Sequence, residues 1–308
     1  MSIITEDEKL ELNCGEIPAA ELSGETGPIR AKLAPDSSGL DINTDYPAST
    51  KNYTAMSGRT IKYIVIHYVG TNGTAYSVAK YFQTPGRNSS AHYVVGLARE
   101  NGRIYQLVAP QHKAWHCGTS GKYYHPECRN ANSIGIETAC RNDTSDLTAS
   151  SLGWYFDDVT VEALVRLTKL LMNEYGIDAD HVVRHYDVTH KTCPAMWVHD
   201  EAAWRAFKLR LIEGNATVLV AAVAAKIGLL SPDYWVKVLT GGAVPRAEHV
   251  KALLEKVCAA KGLKYSYQGA DGILNLNSDD YWTAVLAGKA TAGAATVTAL
   301  FEKIYVAI

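Results

Sequence analysis

The chain has 308 residues, of which 47% are hydrophobic and 20% charged, with a formal net charge of -2 and a pI near 6.6. This length suits one medium domain plus a smaller one, and the apolar fraction is sufficient for hydrophobic cores. The nearly balanced charge excludes a general electrostatic attraction to nucleic acid or to an anionic membrane, so recognition has to be local.

Residues 1–58 predict an extended N-terminal arm, because they lack apolar periodicity and are rich in Glu, Asp, Ser, Pro and Thr. The first residues are acidic and interrupted by Pro and Gly, which is the opposite of the basic and then apolar pattern of a secretion signal. No apolar run approaches the ~18 residues of a membrane span. We therefore expect synthesis in a cytoplasm without a signal peptide, and no insertion into a membrane.

Residues 59–213 predict an α/β domain, with a mixed central β-sheet flanked by helices, because strand and helix patterns alternate. The β-branched and aromatic run 61–69 favours a central strand that is buried on both faces. A helix is predicted near 75–83, and Asn101-Gly102 between two strand patterns predicts a hairpin. The remaining predicted elements are a strand at 133–140, a helix from Thr160 as N-cap to Gly176 as stop, a strand at 181–186 and a helix at 200–212.

Residues 214–308 predict a small all-α domain with an internal duplication. The segments 231–256 and 278–303 align without a gap, and each predicts a helix capped by Ser, a Gly stop and a second helix. Each segment has a Tyr-Trp pair near its start, at the beginning of the predicted helix, which could form a platform for carbohydrate or fill the core between helices. The pattern favours the core for Trp and leaves Tyr open.

Two His and one Cys suggest a metal site. His67 ends the predicted central strand, while His185 and Cys193 lie in the polar stretch RHYDVTHKTCP at 184–194. Two imidazoles and a thiolate are a ligand set with which catalytic zinc keeps a fourth position open. The alternative is that these His side chains only satisfy backbone carbonyls, and the residues alone leave both readings open. Asp187 could support a ligand or belong to a polar loop.

A series of short motifs resembles one family in order and spacing. The motifs are YIVIHYVG, SAHYVVG, GRIYQLV, AWHCG, NANSIGIE and HYDVTHKTCP, and they span about residues 59–200. They resemble the zinc N-acetylmuramoyl-L-alanine amidases of the amidase-2 type, which are related to phage lysozyme-type amidases and to peptidoglycan recognition proteins. The resemblance implies one zinc ion per domain and cleavage of the amide that joins muramic acid to L-alanine in peptidoglycan.

The resemblance also assigns roles to individual residues. It implies zinc ligands at His67, His185 and Cys193, a catalytic carboxylate at Glu137 and a catalytic Lys191. It further suggests that Trp115 and His116 line the substrate groove, whereas Asn132 could bind the stem peptide or cap a turn. Some relatives have a catalytic Tyr where this chain has Ala91, which leaves Glu137 as the sole acid and base. His92 and Tyr93 are expected in the core or the groove wall, and Cys117, Cys128 and Cys140 as buried free thiols in preference to a disulfide or a second metal site.

These expectations combine into a peptidoglycan hydrolase with a second, helical domain that binds the cell wall or forms homo-oligomers. The expected lack of a signal peptide favours a phage or prophage endolysin that reaches the wall after release from the host cytoplasm. The nearest alternative is a bacterial autolysin or germination amidase. A non-catalytic peptidoglycan receptor is disfavoured because Cys193 is present together with Glu137 and Lys191. A structural or tail-associated protein would be recognised by the absence of bound zinc.

Overall fold

The computed structural model describes residues 17–27, 40–119 and 121–308, and the chain divides into two compact units, Met1–Glu201 and Ala202–Ile308. The division precedes the helix Glu201–Ile212, whereas the sequence pattern suggested a domain boundary after residue 213. This helix therefore belongs almost entirely to the second unit.

The first unit is built on a mixed six-stranded sheet with the order β1-β5-β4-β7-β3-β10. All neighbouring pairs are parallel except β4 with β5. Two small antiparallel pairs, β2 with β6 and β8 with β9, accompany it. The strands are β1 (Ile42–Asn43), β2 (Tyr53–Thr54), β3 (Tyr63–Ile66), β4 (Tyr93–Val95), β5 (Ile104–Gln106), β6 (Lys113–Ala114), β7 (Ser133–Thr138), β8 (Arg141–Asn142), β9 (Trp154–Tyr155) and β10 (Val182–Arg184).

Helices flank this sheet, as the alternating pattern predicted. Thr74 caps α1 by accepting a hydrogen bond from the Ser77 amide, and Gly176 ends α2 in the left-handed conformation. β3 is completely buried, as its β-branched run predicted for a central strand. The helices of this unit are α1 (Ala75–Gln83), α2 (Asp158–Tyr175), α3 (His185–Thr189) and α4 (Ala195–His199).

Part of the predicted N-terminal arm belongs to the folded domain. β1 joins the main sheet beside β5, and β2 pairs with β6, so residues 40–58 belong to the fold of the first unit. Both strands are two residues long, which is too short for a period of apolar residues to be visible in the sequence. Predictions for residues 1–16 and 28–39 lie outside the described part of the chain.

Two further details of the first unit differ from prediction. α2 begins at Asp158, and Thr160 lies inside it, where its hydroxyl donates to the carbonyl of Gly96. The predicted strand 181–186 ends at Arg184, and His185 starts α3 instead. The reason is local, because the carboxylate of Asp187 accepts a hydrogen bond from the Arg184 amide and thereby stabilises a helix start.

The second unit consists of helices in its described residues, and no helix described in the whole chain is long and apolar enough to cross a membrane. The duplication is larger than the sequence alignment indicated. Each copy has three helices, and the first ends at a left-handed residue, Gly228 in one copy and Asn275 in the other. The helices are α5 (Glu201–Ile212), followed by α6 (Ala216–Ile227), α7 (Pro232–Leu239) and α8 (Ala247–Ala260) in the first copy, and by α9 (Tyr267–Leu274), α10 (Asp279–Leu286) and α11 (Ala294–Ala307) in the second.

The two copies exchange contacts. The first helix of each copy packs against the third helix of the other, α6 against α11 and α9 against α8. A hydrogen bond is repeated as well, since Lys256 donates to the carbonyl of Gly228 and Lys303 donates to that of Asn275. Both copies therefore share one three-dimensional plan.

The residues at the start of the repeated helices behave differently from the prediction. Ser231 and Ser278 precede α7 and α10 in the left-handed conformation, with φ of 57° and 72°, and neither side chain forms a capping hydrogen bond. Both Ser residues occupy the predicted cap position, but the prediction that their side chains cap the helices is wrong. Trp235 and Trp282 are 4% and 5% exposed, which confirms the prediction that the Trp residues fill the core.

Candidate metal centre and active site

Three of the predicted site residues lie side by side near the carboxyl ends of β3, β7 and β10. In the pairing of β3 with β7 and with β10, the last paired residue of β3 is Ile66. The residues that directly follow this row are His67, Glu137 and His185. Because neighbouring positions on adjacent strands lie side by side, this register brings the three side chains together from distant parts of the chain.

A tight loop brings Cys193 back to the same place. The amide of Tyr186 donates to the carbonyl of Cys193 at 3.0 Å, and the amide of Cys193 donates to that of Lys191 at 2.7 Å. The loop is anchored by the buried guanidinium of Arg184, which is 2.8 Å from the carboxylate of Asp187. Asp187 thus stabilises the loop, which is the structural one of its two predicted roles.

The three predicted ligands form one group. Their ligand atoms lie within 4.8 Å of one another, and all three side chains are buried. The Sγ of Cys193 is 3.8 Å from the Nδ1 of His67, and the rings of His67 and His185 have centroids 4.7 Å apart. This group could hold a metal ion, and two imidazoles with one thiol suit zinc with an open coordination position.

A chain of hydrogen bonds sets the orientation of His67. The hydroxyl of Ser133 donates to the carbonyl of Arg129 at 2.7 Å, so its oxygen can accept the Nε2–H of His116 at 3.3 Å. The Nδ1 of His116 then accepts from the Nε2–H of His67 at 3.1 Å. The lone pair on Nδ1 of His67 is consequently available on the side of Cys193.

This chain also distinguishes between two overlapping groups. His67, His116 and Cys117 could equally hold a metal by distance alone. In the hydrogen-bonded arrangement, however, the facing nitrogens of His67 and His116 share a proton, which a metal ion between them would displace. The group with His185 and Cys193 keeps this hydrogen bond intact, so His116 is placed to orient the ring of His67, while its Nδ1 also lies 3.2 Å from the Sγ of Cys117.

His185 is oriented in a similar way. Its Nε2 lies 3.2 Å from the carbonyl oxygen of Gly118. Since a carbonyl can only accept, the proton of the neutral ring is on Nε2 and the lone pair is on Nδ1.

Burial dominates the electrostatics of the site. Burial lowers the pKa of His67 well below its usual value, with further lowering by His185 and His116, and burial together with Lys191 lowers the pKa of His185 to about 3. Both rings are therefore neutral at pH 7, which is the form that ligates metals. Burial, followed by the charge of Glu137, raises the pKa of the Cys193 thiol. A divalent cation would reverse this effect and favour the thiolate.

Glu137 and Lys191 complete the group. Burial raises the pKa of Glu137 to about 8, although the charge of Lys191 lowers it in part. The Oε2 atom of Glu137 is buried and has no hydrogen-bond partner. An unpaired buried carboxyl oxygen of this kind is costly unless a ligand or reactant uses it. The charge of Lys191 influences the pKa of Glu137, His185 and Cys193, so Lys191 lies close to the whole group.

The three predicted substrate-binding residues occupy different environments. Trp115 is half-buried, and its indole N–H donates to the hydroxyl of Thr54 at 3.0 Å. His116 is 2% exposed and supports His67, as described above. Asn132 stabilises a turn, because its Oδ1 accepts from the Arg129 amide and its amide group donates to the carbonyl of Glu127. Substrate binding by these residues stays a prediction.

Two residues that shape the site were not singled out from the sequence. A Cβ on Gly135 would lie 2.4 Å from Cγ of His116, so only glycine leaves room for that ring in β7. The Oδ1 of Asn130 accepts from the amides of His116 and Cys117, at 3.0 and 2.7 Å, and fixes the backbone there. Both lie in the motif NANSIGIE, but their roles depend on contacts with a different segment, around His116 and Cys117.

The expectations for the neighbouring residues are confirmed. His92 is completely buried, where its Nδ1 accepts from the Gly135 amide at 3.0 Å. Tyr93 is 5% exposed and lies in β4. Cys117, Cys128 and Cys140 are buried and are not joined in disulfides.

Comparison with known proteins identifies the domain. Residues 57–196 match the model of the family Amidase_2, N-acetylmuramoyl-L-alanine amidase. A probable N-acetylmuramoyl-L-alanine amidase of Bacillus licheniformis is 30% identical over 223 residues, which cover 69% of this chain and 57% of that protein. The amidase CwlL of Bacillus licheniformis is 29% identical over 69% of this chain and 56% of that protein. This chain thus spans a little more than half the length of these curated relatives.

Among solved structures, that of PlyL is similar to this chain, with a TM-score of 0.46 and 22% identity over 57% of this chain and 99% of that one. The family model and the curated relatives confirm the resemblance seen in the motifs. Residues 57–196 therefore form a domain of the amidase-2 type, the type found in N-acetylmuramoyl-L-alanine amidases.

Proposed function

We propose that this protein is a zinc-dependent N-acetylmuramoyl-L-alanine amidase that hydrolyses the amide bond between N-acetylmuramic acid and the L-alanine of the peptidoglycan stem peptide. The observation that carries the proposal is the convergence of His67, His185 and Cys193 in one buried group, within a domain of this family. Glu137 directly follows the same paired row of the sheet as both His residues.

In this proposal, His67, His185 and Cys193 hold one zinc ion. A bound zinc ion would polarise the substrate carbonyl and make water more acidic. Glu137 would take the proton of the attacking water and pass it to the leaving amine. Its pKa of about 8 without metal suits both steps near neutral pH. The ammonium of Lys191 would stabilise the negative charge that develops on the carbonyl oxygen.

The test combines metal analysis with an assay for new L-alanine amino termini from purified peptidoglycan. We expect one equivalent of zinc and loss of activity with a chelator. Glu137→Gln and Lys191→Ala should retain the zinc and lose activity by about 10²–10³-fold. Lys62→Ala is a matched control, because the Lys62 side chain is 55% exposed and pairs only weakly with Glu127. Zinc-loaded Glu137→Gln with unchanged activity would contradict the assignment.

For the biological role, we propose an endolysin that degrades the wall from within once a membrane pore lets it pass. The arrangement of one amidase-family unit and one helical unit supports an enzyme with a separate targeting part. Co-expression with a pore-forming protein should lyse the host, whereas expression alone should not. Lysis without the pore, or cleavage restricted to the producing cell's own septum or spore wall, would favour an autolysin or a germination amidase.

The alternative from another class is a peptidoglycan receptor without activity. It would bind the muropeptide but need neither the thiol of Cys193 nor the buried carboxyl of Glu137. The presence of both within one group favours hydrolysis. Binding to peptidoglycan without release of L-alanine termini by the zinc-loaded protein would select the receptor.

A further inference from the structure

A cavity of about 460 Å³ lies in the first copy of the duplicated helical unit, and the amidase mechanism does not involve it. It is formed by α7, by α8 and by the segment that joins α6 to α7. Small-molecule sites commonly have volumes of about 300–1,000 Å³. The cavity is thus large enough for one sugar ring with part of a peptide.

One side of the cavity is aromatic and apolar. Tyr234, Trp235, Leu229 and Leu253 contribute to its wall. The Trp235 ring is nearly buried, whereas Tyr234 is half-buried beside it with ring centroids 5.3 Å apart. Aromatic faces of this kind pack against the C–H face of a sugar or against an aliphatic chain.

The remaining wall carries positive charge. Arg246 and Lys256 bring this charge to the wall, His249 lies beside them, and no carboxylate is among the residues that line the cavity, although that of Glu248, outside the lining, lies 3.4 Å from Nε of Arg246. Lys256 donates to the carbonyl of Gly228 at 2.7 Å, and an ammonium has further donors. The hydroxyl of Tyr234 lies 2.7 Å from Nδ1 of His249, which fixes both rings. An anionic group therefore complements the cavity.

The second copy of the repeat provides an internal comparison. At the matched positions it keeps the Tyr, the Trp, the Lys and two of the three Leu residues of the cavity, as Tyr281, Trp282, Lys303, Leu276 and Leu300, whereas Leu230 is matched by Asn277. The positions of Arg246 and His249, however, are occupied by Gly293 and Thr296. Both copies form the same three helices, so the fold does not require the Arg and the His. Their presence in the first copy points to a ligand.

We propose that this cavity binds a carboxylate-bearing muropeptide, with the apolar wall against the sugar and Arg246 and Lys256 facing a free carboxylate of the stem peptide. The identity of this ligand rests on the proposed function, since peptidoglycan is the material that the amidase would meet. The inference that the cavity binds an anionic ligand rests on the charged residues of its wall and on the difference between the two copies. The second unit would thus retain the enzyme on its substrate.

The test follows the tryptophan indole signals of the full chain by ¹⁵N NMR, in the Glu137→Gln background so that the ligand is not cleaved. The ligand is a soluble disaccharide tripeptide with free carboxylates. We expect the Trp235 signal to shift on titration and the matched Trp282 signal to stay in place. In the double variant Arg246→Gly, His249→Thr, which copies the second repeat, the affinity measured at Trp235 should fall at least about tenfold.

The same muropeptide with its carboxylates converted to amides should also bind at least about tenfold more weakly. An unchanged Trp282 signal and an unchanged Tm verify that the double variant is folded. The proposal is overturned if Trp235 does not respond, or if the double variant or the amidated ligand binds equally well. Hydrolysis by the unmodified zinc-loaded chain is measured separately. A shift at Trp235 without hydrolysis would refute only the amidase activity, and hydrolysis without a shift would refute only the cavity.

Discussion

The hydroxyl of Ser133 is not among the predicted metal ligands His67, His185 and Cys193. It lies at the end of the hydrogen-bond chain that places the proton of His67 on Nε2. It accepts from His116, and His116 in turn accepts from His67. Residues that orient a metal-binding imidazole in this way typically change metal affinity by about 10–100-fold when mutated. Removing this one hydroxyl, which is not itself a ligand, should therefore change the affinity of His67, His185 and Cys193 for a metal ion.

We expect Ser133→Ala to weaken zinc binding by about 10–100-fold, measured by competition with a chromogenic chelator. The matched control is Ser77→Ala, which removes an equally buried hydroxyl whose hydrogen bond goes to the carbonyl of Thr74 at the start of α1. The control should retain its zinc affinity. Equal affinities for Ser133→Ala and the unmodified chain would show that His67 is oriented by other contacts.

His92 should make the domain sensitive to acid. Burial, and then the charge of Arg59, lowers its pKa to about 3, while the unfolded chain titrates near 6.5. Below pH 6.5 the unfolded state takes up a proton that the folded state refuses, so stability is lost as the pH falls from about 6.5 toward 3.

We expect His92→Gln to reduce the dependence of the unfolding free energy on pH. Between pH 6 and 4.5 the slope should decrease by up to about 1.4 kcal/mol per pH unit, one proton, as measured by urea unfolding of the metal-free protein. Measurements above pH 7 serve as the reference, because His92 is neutral in both states there. A slope that is the same in both proteins would show that His92 is protonated in the folded state.

At the scale of elements, each of the helices α7 and α10 is preceded by a Ser whose backbone has an unfavourable left-handed conformation. Ser278 has a φ of 72° and no capping hydrogen bond, whereas Ser266 at the start of α9 has a φ of -147° and accepts from the Gly269 amide at 3.0 Å. A left-handed conformation costs a non-glycine residue about 1–2 kcal/mol, and glycine avoids it at an entropic cost.

These two serines should therefore respond to substitution with opposite signs. We expect Ser278→Gly to raise the free energy of unfolding by up to about 1 kcal/mol, and Ser266→Ala to lower it by about 1 kcal/mol. Chemical denaturation of both variants measures the effects. Destabilisation by Ser278→Gly would mean that the hydroxyl makes a stabilising contact in solution.

Helices and strands were predicted correctly where the local pattern of residues is enough to determine them. The helix predicted near 75–83 matches α1 (Ala75–Gln83), and the Asn101-Gly102 hairpin joins β4 and β5. The two-residue strands β1 and β2 were missed, because their pairing depends on distant partners. The start of α3 at His185 was missed because Asp187 reaches back to the preceding backbone. The duplicated helices were found, but their first members lie outside the matched segments, where the two copies share few residues.

The predicted metal ligands could be found from the sequence, but the residues that support them could not. Motif resemblance indicated His67, His185 and Cys193, which the structure brings together. The support of His67 by His116 could not be read from sequence, since it requires a ring to lie over Gly135 in another strand. Such contacts arise from tertiary approach and have no local signature.

For the whole molecule, the division at Glu201 predicts two unfolding transitions. All proposed zinc ligands lie in the first unit, and a ligand that binds only the folded state stabilises by about 2.7 kcal/mol at 100 times its Kd. A chelator should therefore lower the midpoint of one transition in a calorimetric scan and leave the other in place. Cys193→Ser, which removes one ligand, should remove the difference between scans with and without chelator. A single transition that shifts as a whole would show that the units unfold together.

The crossed packing of α6 on α11 and of α9 on α8 has a consequence for the history of the helical unit. A lone three-helix copy would leave uncovered both the side of its first helix and the side of its third helix that now meet the sister copy. A one-copy ancestor that paired with itself would cover both sides, and tandem duplication would join such a pair into a single chain. Because the exchange is reciprocal, each copy shields from solvent the helix faces that the other copy would otherwise expose.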